Sequence, residues 1–190
     1  MFKKIFKLTF ELIQITLISL AIIIPVRYFL IQPFYVKGAS MQPNFYDHDY
    51  LIIDQITYRV KNPQRGDTIV FHCPDDPQEY YIKRIIGLPG ETIQFKNGEI
   101  YVYNDIFIDG FIINEPYLQN NIKTYTFTKE YVELANNEYF VLGDNRGASK
   151  DSRVFGAVHK SFIVGRVLLR GWPFNRFDLF KTPEYQLIGS

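Results

Sequence analysis

The stretch LTFELIQITLISLAIIIPV, Leu8 to Val26, constrains this chain more than any other segment. As a helix it is mostly apolar on every side and about 28 Å long at 1.5 Å per residue, close to the hydrocarbon thickness of a bilayer. Lys3, Lys4 and Lys7 precede it, while Pro25, Arg27, Tyr28 and Phe29 mark the far end, where aromatic rings suit an interface. Glu11 and Gln14 fall near the basic end, where a polar group costs less than at the bilayer centre. Ser19-Leu20-Ala21 has the small-residue spacing of a secretory cleavage site, yet Ile22, Ile23 and Ile24 extend the run without a polar break. A buried core helix is the other alternative, and basic residues clustered at one end favour an anchor over it. The reading is therefore an uncleaved anchor. Basic residues stay on the cytoplasmic side, so the N-terminus is expected inside and the long remainder outside.

At 190 residues the chain supports one compact domain plus this appendage, divided here as 1–31 and 32–190. Beyond about Gln32 its character changes to mainly β. The 17% aromatic content, with 14 Tyr and 17 Phe, favours half-buried pleated surfaces. Strand-like runs are YLIID (50–54), TIVFH (68–72), YYIKRIIG (80–87), ETIQF (91–95), EIYVY (99–103), YFVLG (139–143) and FIVGRVLLRGW (162–172). Asn97-Gly98 signals a hairpin turn between two of them. A loop-rich excursion is expected over about 104–137. A net charge of +1 gives no reason to expect nucleic acid. The single cysteine, Cys73, excludes an internal disulfide framework. His72 and Cys73 are adjacent strand residues pointing to opposite faces, so no metal site is expected.

The chemistry centres on GASMQPNF (38–45). Ser40 alone reads as a loop hydroxyl. No histidine stands in a recognisable triad segment, and there is no G-x-S-x-G elbow and no S-x-x-K motif at Ser40. The remaining activator of a serine is a neutral lysine, and burial among apolar groups is what lowers a lysine's pKa. Lys83 meets that requirement. In YYIKRIIGLPGE (80–91), Tyr81, Lys83 and Ile85 share one strand face, and Ile82 and Ile86 make the other apolar. On this segment alone, a base and a snorkelling side chain at a sheet edge both stay open. A third segment, GDNRGASKDSR (143–153), packs Asp144, Arg146, Asp151 and Arg153 into a turn with Ser149 and Ser152. It reads either as a solvated charged loop or as an ion-pair network that positions Ser149 against the lysine amine.

In this order, SMQP (40–43), RGDTIVF (65–71), YIKRIIGLPGE (81–91) and GDNRGASKDSR (143–153), behind an N-terminal anchor, closely resemble bacterial type I signal peptidases. NEPYL (114–118) and FGAVHKSFIVGRVLLRGWP (155–173) resemble that family's connecting segments. The resemblance implies a signal-peptidase-like β-rich catalytic domain without a cofactor. It implies Ser40 as nucleophile, Lys83 as general base, Ser149 as orienting hydroxyl, and Asp144, Arg146, Asp151 and Arg153 as the loop's ion pairs. It places backbone oxyanion donors at Ser40 and Gly38, the latter standing where some members carry serine. Asn44 stands where threonine is commoner. Met41, Phe45 and Ile85 are expected as pocket walls, and the apolar FLIQPFYV (29–36) is expected on the bilayer surface. The implied partners are signal peptides of exported preproteins, the lipid bilayer and the secretion machinery, at the outer face of a bacterial cytoplasmic membrane. Alternatives are a Ser–Lys peptidase dedicated to one substrate such as a pilin, and a membrane-anchored binding homologue with a decayed site. The self-cleaving domain of SOS repressors shares the catalytic core but needs a DNA-binding module where this chain has an anchor.

Overall fold

The computed structural model describes residues 2–25, 31–119, 122–126 and 129–183. The expected boundary residues Arg27, Tyr28 and Phe29 lie outside them. The first element is the helix α1, Phe2–Pro25. Its segment Lys4–Ile24 is long and apolar enough to cross a membrane, and none of it is buried against protein. That exposure excludes a core helix. An apolar surface of this extent is stable only in a nonaqueous setting.

The remaining chain is antiparallel β. The strands are β1 Ile31–Tyr35, β2 Tyr50–Asp54, β3 Thr68–Cys73, β4 Asp76–Gly87, β5 Thr92–Lys96, β6 Glu99–Tyr103, β7 Phe111–Ile112, β8 Tyr131–Glu133, β9 Glu138–Leu142, β10 Val158–His159, β11 Ile163–Trp172 and β12 Asp178–Leu179. The short helices α2, Thr57–Val60, and α3, Ser152–Phe155, interrupt them. One sheet runs β1-β2-β11-β3-β4-β9-β10 with β12 beside β11, and a second runs β7-β6-β5-β8. The second sheet already includes β5 and β6, so the excursion from the main sheet begins earlier than residue 104. The hairpin β5–β6 turns at Asn97 and Gly98, both with positive φ, as the dipeptide predicts.

β1 is a strand that the sequence reading did not anticipate. Pro33 sits inside it, opposite Ile52 of β2, and proline is tolerated there because β1 is an edge strand with one side unpaired. The described part of the expected surface-lying segment, from Ile31 on, is therefore built into the sheet. The main sheet curls: the Phe34 ring of β1 lies edge-on to Tyr80 of β4, 5.1 Å between centroids, although three strands separate β1 from β4 in the sheet order.

Period-two alternation sends β3 side chains into different cores. Val70 joins Val36, Met41, Phe45, Leu51, Ile53 and Val167, whereas Ile69 and Phe71 join Ile85, Tyr139, Val141 and Val158. A third cluster, with Ile86, Ile93, Val102, Phe111 and Phe140, closes the second sheet against β4 and β9. An ion pair seals that junction. Glu91, 5% exposed, takes Arg65 Nη2 at 2.6 Å, the Leu88 N–H at 2.8 Å and Asn104 Nδ2 at 3.1 Å. Removing one partner of a buried pair strands the other charge. Glu91→Ala is expected to lower the stability of the detergent-solubilised protein by about 3–5 kcal/mol in urea titration. Lys123→Ala, which breaks a 3.6 Å pair with Glu99 in solvent, is expected to cost at most about 1 kcal/mol.

Candidate active site

Ser40 sits in the tight turns that follow β1, and Lys83 comes from the middle of β4. Long-range packing brings them together: Met41 and Phe45, just past the serine, are buried in the core formed by β1–β3 and β11. Lys83 Nζ lies 2.8 Å from Ser40 Oγ and also donates to Ile82 O at 2.8 Å. Lys83 is 4% exposed, flanked on its own strand face by Tyr81 and Ile85, with the Tyr81 ring centroid 5.3 Å from Nζ. Desolvation brings its pKa down to about 8 from the ordinary 10.5, against the opposing pull of Asp151, Asp144 and Cys73. The snorkelling alternative is thereby excluded, because the amine points into the protein.

The carboxylates that could recharge this amine are committed elsewhere. Asp144 takes Arg84 Nε at 2.9 Å and Nη2 at 2.7 Å, and its Oδ2 also accepts Asn44 Nδ2 at 2.8 Å. Arg84 stacks on Tyr117, 4.0 Å from its centroid, and is buried. Asp151 caps α3 and accepts the Gly143 N–H at 3.0 Å and Arg153 Nε at 2.8 Å. Arg146 pairs with Glu115, not with an acid of its own loop, and donates Nε to Gly143 O at 3.0 Å. So the loop's four charges do form a buried network, but two of them reach out to Arg84 and Glu115.

Three expected roles need correction. Ser149 makes no hydrogen bond to Lys83; its buried Oγ has no partner among the described residues and packs against Gly143. Lys83 has both Ser40 Oγ and Ile82 O instead. The Gly38 N–H is unavailable to an oxyanion because it donates to Asp47 Oδ1 at 2.9 Å; with φ +89°, Gly38 serves the turn. The Ser40 N–H, by contrast, meets no acceptor among the described residues. Finally, Met41, Phe45 and Ile85 are packed in the core and are not among the side chains that line the groove beside Ser40 and Lys83. Met41 and Phe45 pack into the core with Leu51 and Val70, and Ile85 packs into the one with Ile69 and Phe71.

The groove itself, about 400 Å³, runs past Ser40 and Lys83 between β1 and the outer half of β4. Phe34, Val36, Leu51, Val70, Tyr80 and Ile82 give it apolar walls, with Lys37, Glu79 and Lys150 also lining it. β9 pairs only with Arg84–Gly87 of β4, so the same edge of Glu79–Ile82 has no strand partner among the described residues. Among the described strands β1 likewise has one open edge. Sequence reasoning missed these walls because Phe34 and Tyr80 meet only through the curl of the sheet. It also missed Asn145, whose N–H donates to Ser40 O at 3.0 Å and whose Nδ2 donates to Ala39 O at 3.1 Å. A polar residue beside Asp144 in a motif segment was the available signal. Gly143 completes the fit, since a Cβ there would lie 2.5 Å from Ser40 O.

The family model for signal peptidase, peptidase S26, matches residues 9–172. Signal peptidase IB of Staphylococcus aureus (strain MRSA252) is 35% identical over 182 residues, covering 88% of this chain and 91% of that one. Signal peptidase I of Leptolyngbya laminosa is 36% identical over 176 residues, covering 88% and 82%. A solved signal peptidase I from Enterococcus faecalis V583 is 33% identical and overlays 56% of this chain and 97% of its own, with a TM-score of 0.47. With a buried lysine beside a half-buried serine at an open groove and a helix fit to cross a membrane, the chain belongs to the signal peptidase family, peptidase S26, and is a membrane-anchored serine endopeptidase.

Proposed function

We propose that this protein removes N-terminal signal peptides from exported preproteins by acyl transfer, with Ser40 as nucleophile and Lys83 as general base. The observation that carries the reading is the 2.8 Å contact between Ser40 Oγ and an amine that burial holds near neutrality. Below about pH 8 Lys83 is an ammonium and donates to Ser40 Oγ, which leaves the hydroxyl unactivated. Once the amine is neutral its lone pair accepts the Ser40 proton, and Oγ attacks the carbonyl at the cleavage site. Lys83 hands that proton to the leaving amine and then activates the water that releases the signal peptide. The tetrahedral oxyanion is met by the Ser40 N–H, a preorganised donor that needs no rearrangement.

The two open strand edges explain how a substrate would be held. An extended segment lying between β1 and Glu79–Ile82 adds as a strand, with main-chain hydrogen bonds giving affinity and alternate side chains probing the groove walls. Small residues near the cut suit the close approach of backbone to Ser40. The orientation we propose rests on Lys3, Lys4 and Lys7 in the first turns of α1: N-terminus inside, catalytic domain on the outer face of the cytoplasmic membrane, in a single pass. The bilayer and the secretion machinery are then its surroundings.

Incubation of the solubilised protein with an exported preprotein should give one cut after a small-x-small site. Ser40→Ala and Lys83→Ala should each abolish it, by about 10³-fold or more, with folding intact by circular dichroism. Cleavage surviving Lys83→Ala would exclude the lysine as base. The pH dependence has a definite sign. Because the active form is the neutral amine, kcat/KM should rise about tenfold per pH unit below about pH 8 and level off above it. A flat profile through that range contradicts the mechanism.

A further inference from the structure

Ser40 and Lys83 supply the nucleophile and base, but the oxyanion donor has to be aimed, and one side chain outside the pair does the aiming. The donor is the Ser40 N–H, which belongs to the peptide unit between Ala39 and Ser40. That bond is trans, so its C=O and N–H point in opposite directions within one plane. Tethering Ala39 O therefore sets the direction of the Ser40 N–H. Two donors reach Ala39 O: the Gln42 N–H at 3.2 Å and Asn145 Nδ2 at 3.1 Å. Gln42 lies in the same turn and moves with it. Asn145 comes from the other side of the site and provides an external reference.

That reference is rigid. Asn145 follows Asp144, whose carboxylate is clamped by Arg84 and Asn44. Its own N–H donates to Ser40 O at 3.0 Å, so both peptide units flanking the nucleophile are pinned by one residue. Building on the acyl-transfer reading above, we propose that Asn145 is a positioning residue for the oxyanion donor: its side-chain amide fixes the Ala39–Ser40 peptide plane so that the Ser40 N–H faces the tetrahedral intermediate. Losing the side chain keeps the backbone strap and the nucleophile in place but releases the plane. Misplacing a donor by a fraction of an ångström weakens an interaction made chiefly in the transition state, and so lowers kcat rather than substrate affinity.

The test compares wild type, Asn145→Ala and the isosteric Asn145→Asp, which puts an acceptor where a donor is required. The probes are a small-residue peptide aldehyde and the alcohol of the same peptide. With the aldehyde, Ser40 Oγ bonds to the carbonyl carbon, the carbonyl electron pair moves onto oxygen, and Lys83 takes the serine proton; the alcohol forms no such adduct. Asn145→Ala should lower kcat and aldehyde affinity by about 10- to 100-fold each. KM, alcohol affinity and the pH limb near 8 should stay unchanged. Asn145→Asp should lose at least as much. Equal losses for aldehyde and alcohol, or wild-type kcat in Asn145→Ala, would overturn the inference. A wild type that neither cleaves preprotein nor binds the aldehyde would overturn the acyl-transfer reading itself.

Discussion

In the proposed mechanism, catalysis depends on keeping one amine, Lys83, out of water and without an ion-pair partner. Burial alone is the dominant influence on it, and nearby carboxylates work in the opposite direction. Asp144 and Asp151 would hold the amine charged if either paired with it. Arg84 occupies the first and Arg153 the second, so neither is within ion-pair distance of Lys83 among the described residues. On the proposed mechanism, the charged loop serves to keep acids from the base more than to support it directly. This arrangement has a thermodynamic consequence. The folded pKa is below the unfolded one, so the folded state binds fewer protons; burial of Lys83 opposes folding fully below about pH 8 and ceases to do so as pH rises towards 10.5. Function here is obtained against stability.

The fold answers that demand with strands instead of helices. β4 offers Lys83 on the face it shares with Tyr81 and Ile85, and the β1–β3 and β11 core draws the Ser40 turn down onto it. The curl that brings Phe34 against Tyr80 leaves two open edges on either side of the pair. A groove with unpaired edges is a hazard on an ordinary sheet, and in the proposed mechanism it is where the substrate strand adds.

Much of this was legible in the sequence, for physical reasons that differ from element to element. The apolar run of α1, the alternation in β2 and β6 and the Asn97-Gly98 turn are local signals, and the structure has them where they were expected. Lys83 stood out because a charge in an apolar strand demands an explanation. β1 did not, since Pro33 argues against a strand unless its edge position is known. The groove walls, Asn145, and the Glu115 and Arg84 ends of the ion pairs depend on segments far apart in the chain, for which a single sequence carries no local pattern. Met41, Phe45 and Ile85 show the converse: proximity along the chain was a poor guide to which side chains face the groove.

The state of the Lys83 amine is the central claim, and it can be observed without substrate. Protein labelled with nitrogen-15 at lysine Nζ, with the Lys83 signal assigned by its absence in Lys83→Met, can be titrated in detergent by NMR. A Lys83 midpoint near 8 is expected. A midpoint at the ordinary 10.5 would mean that the amine is charged at the pH of the reaction, and would contradict its role as the base.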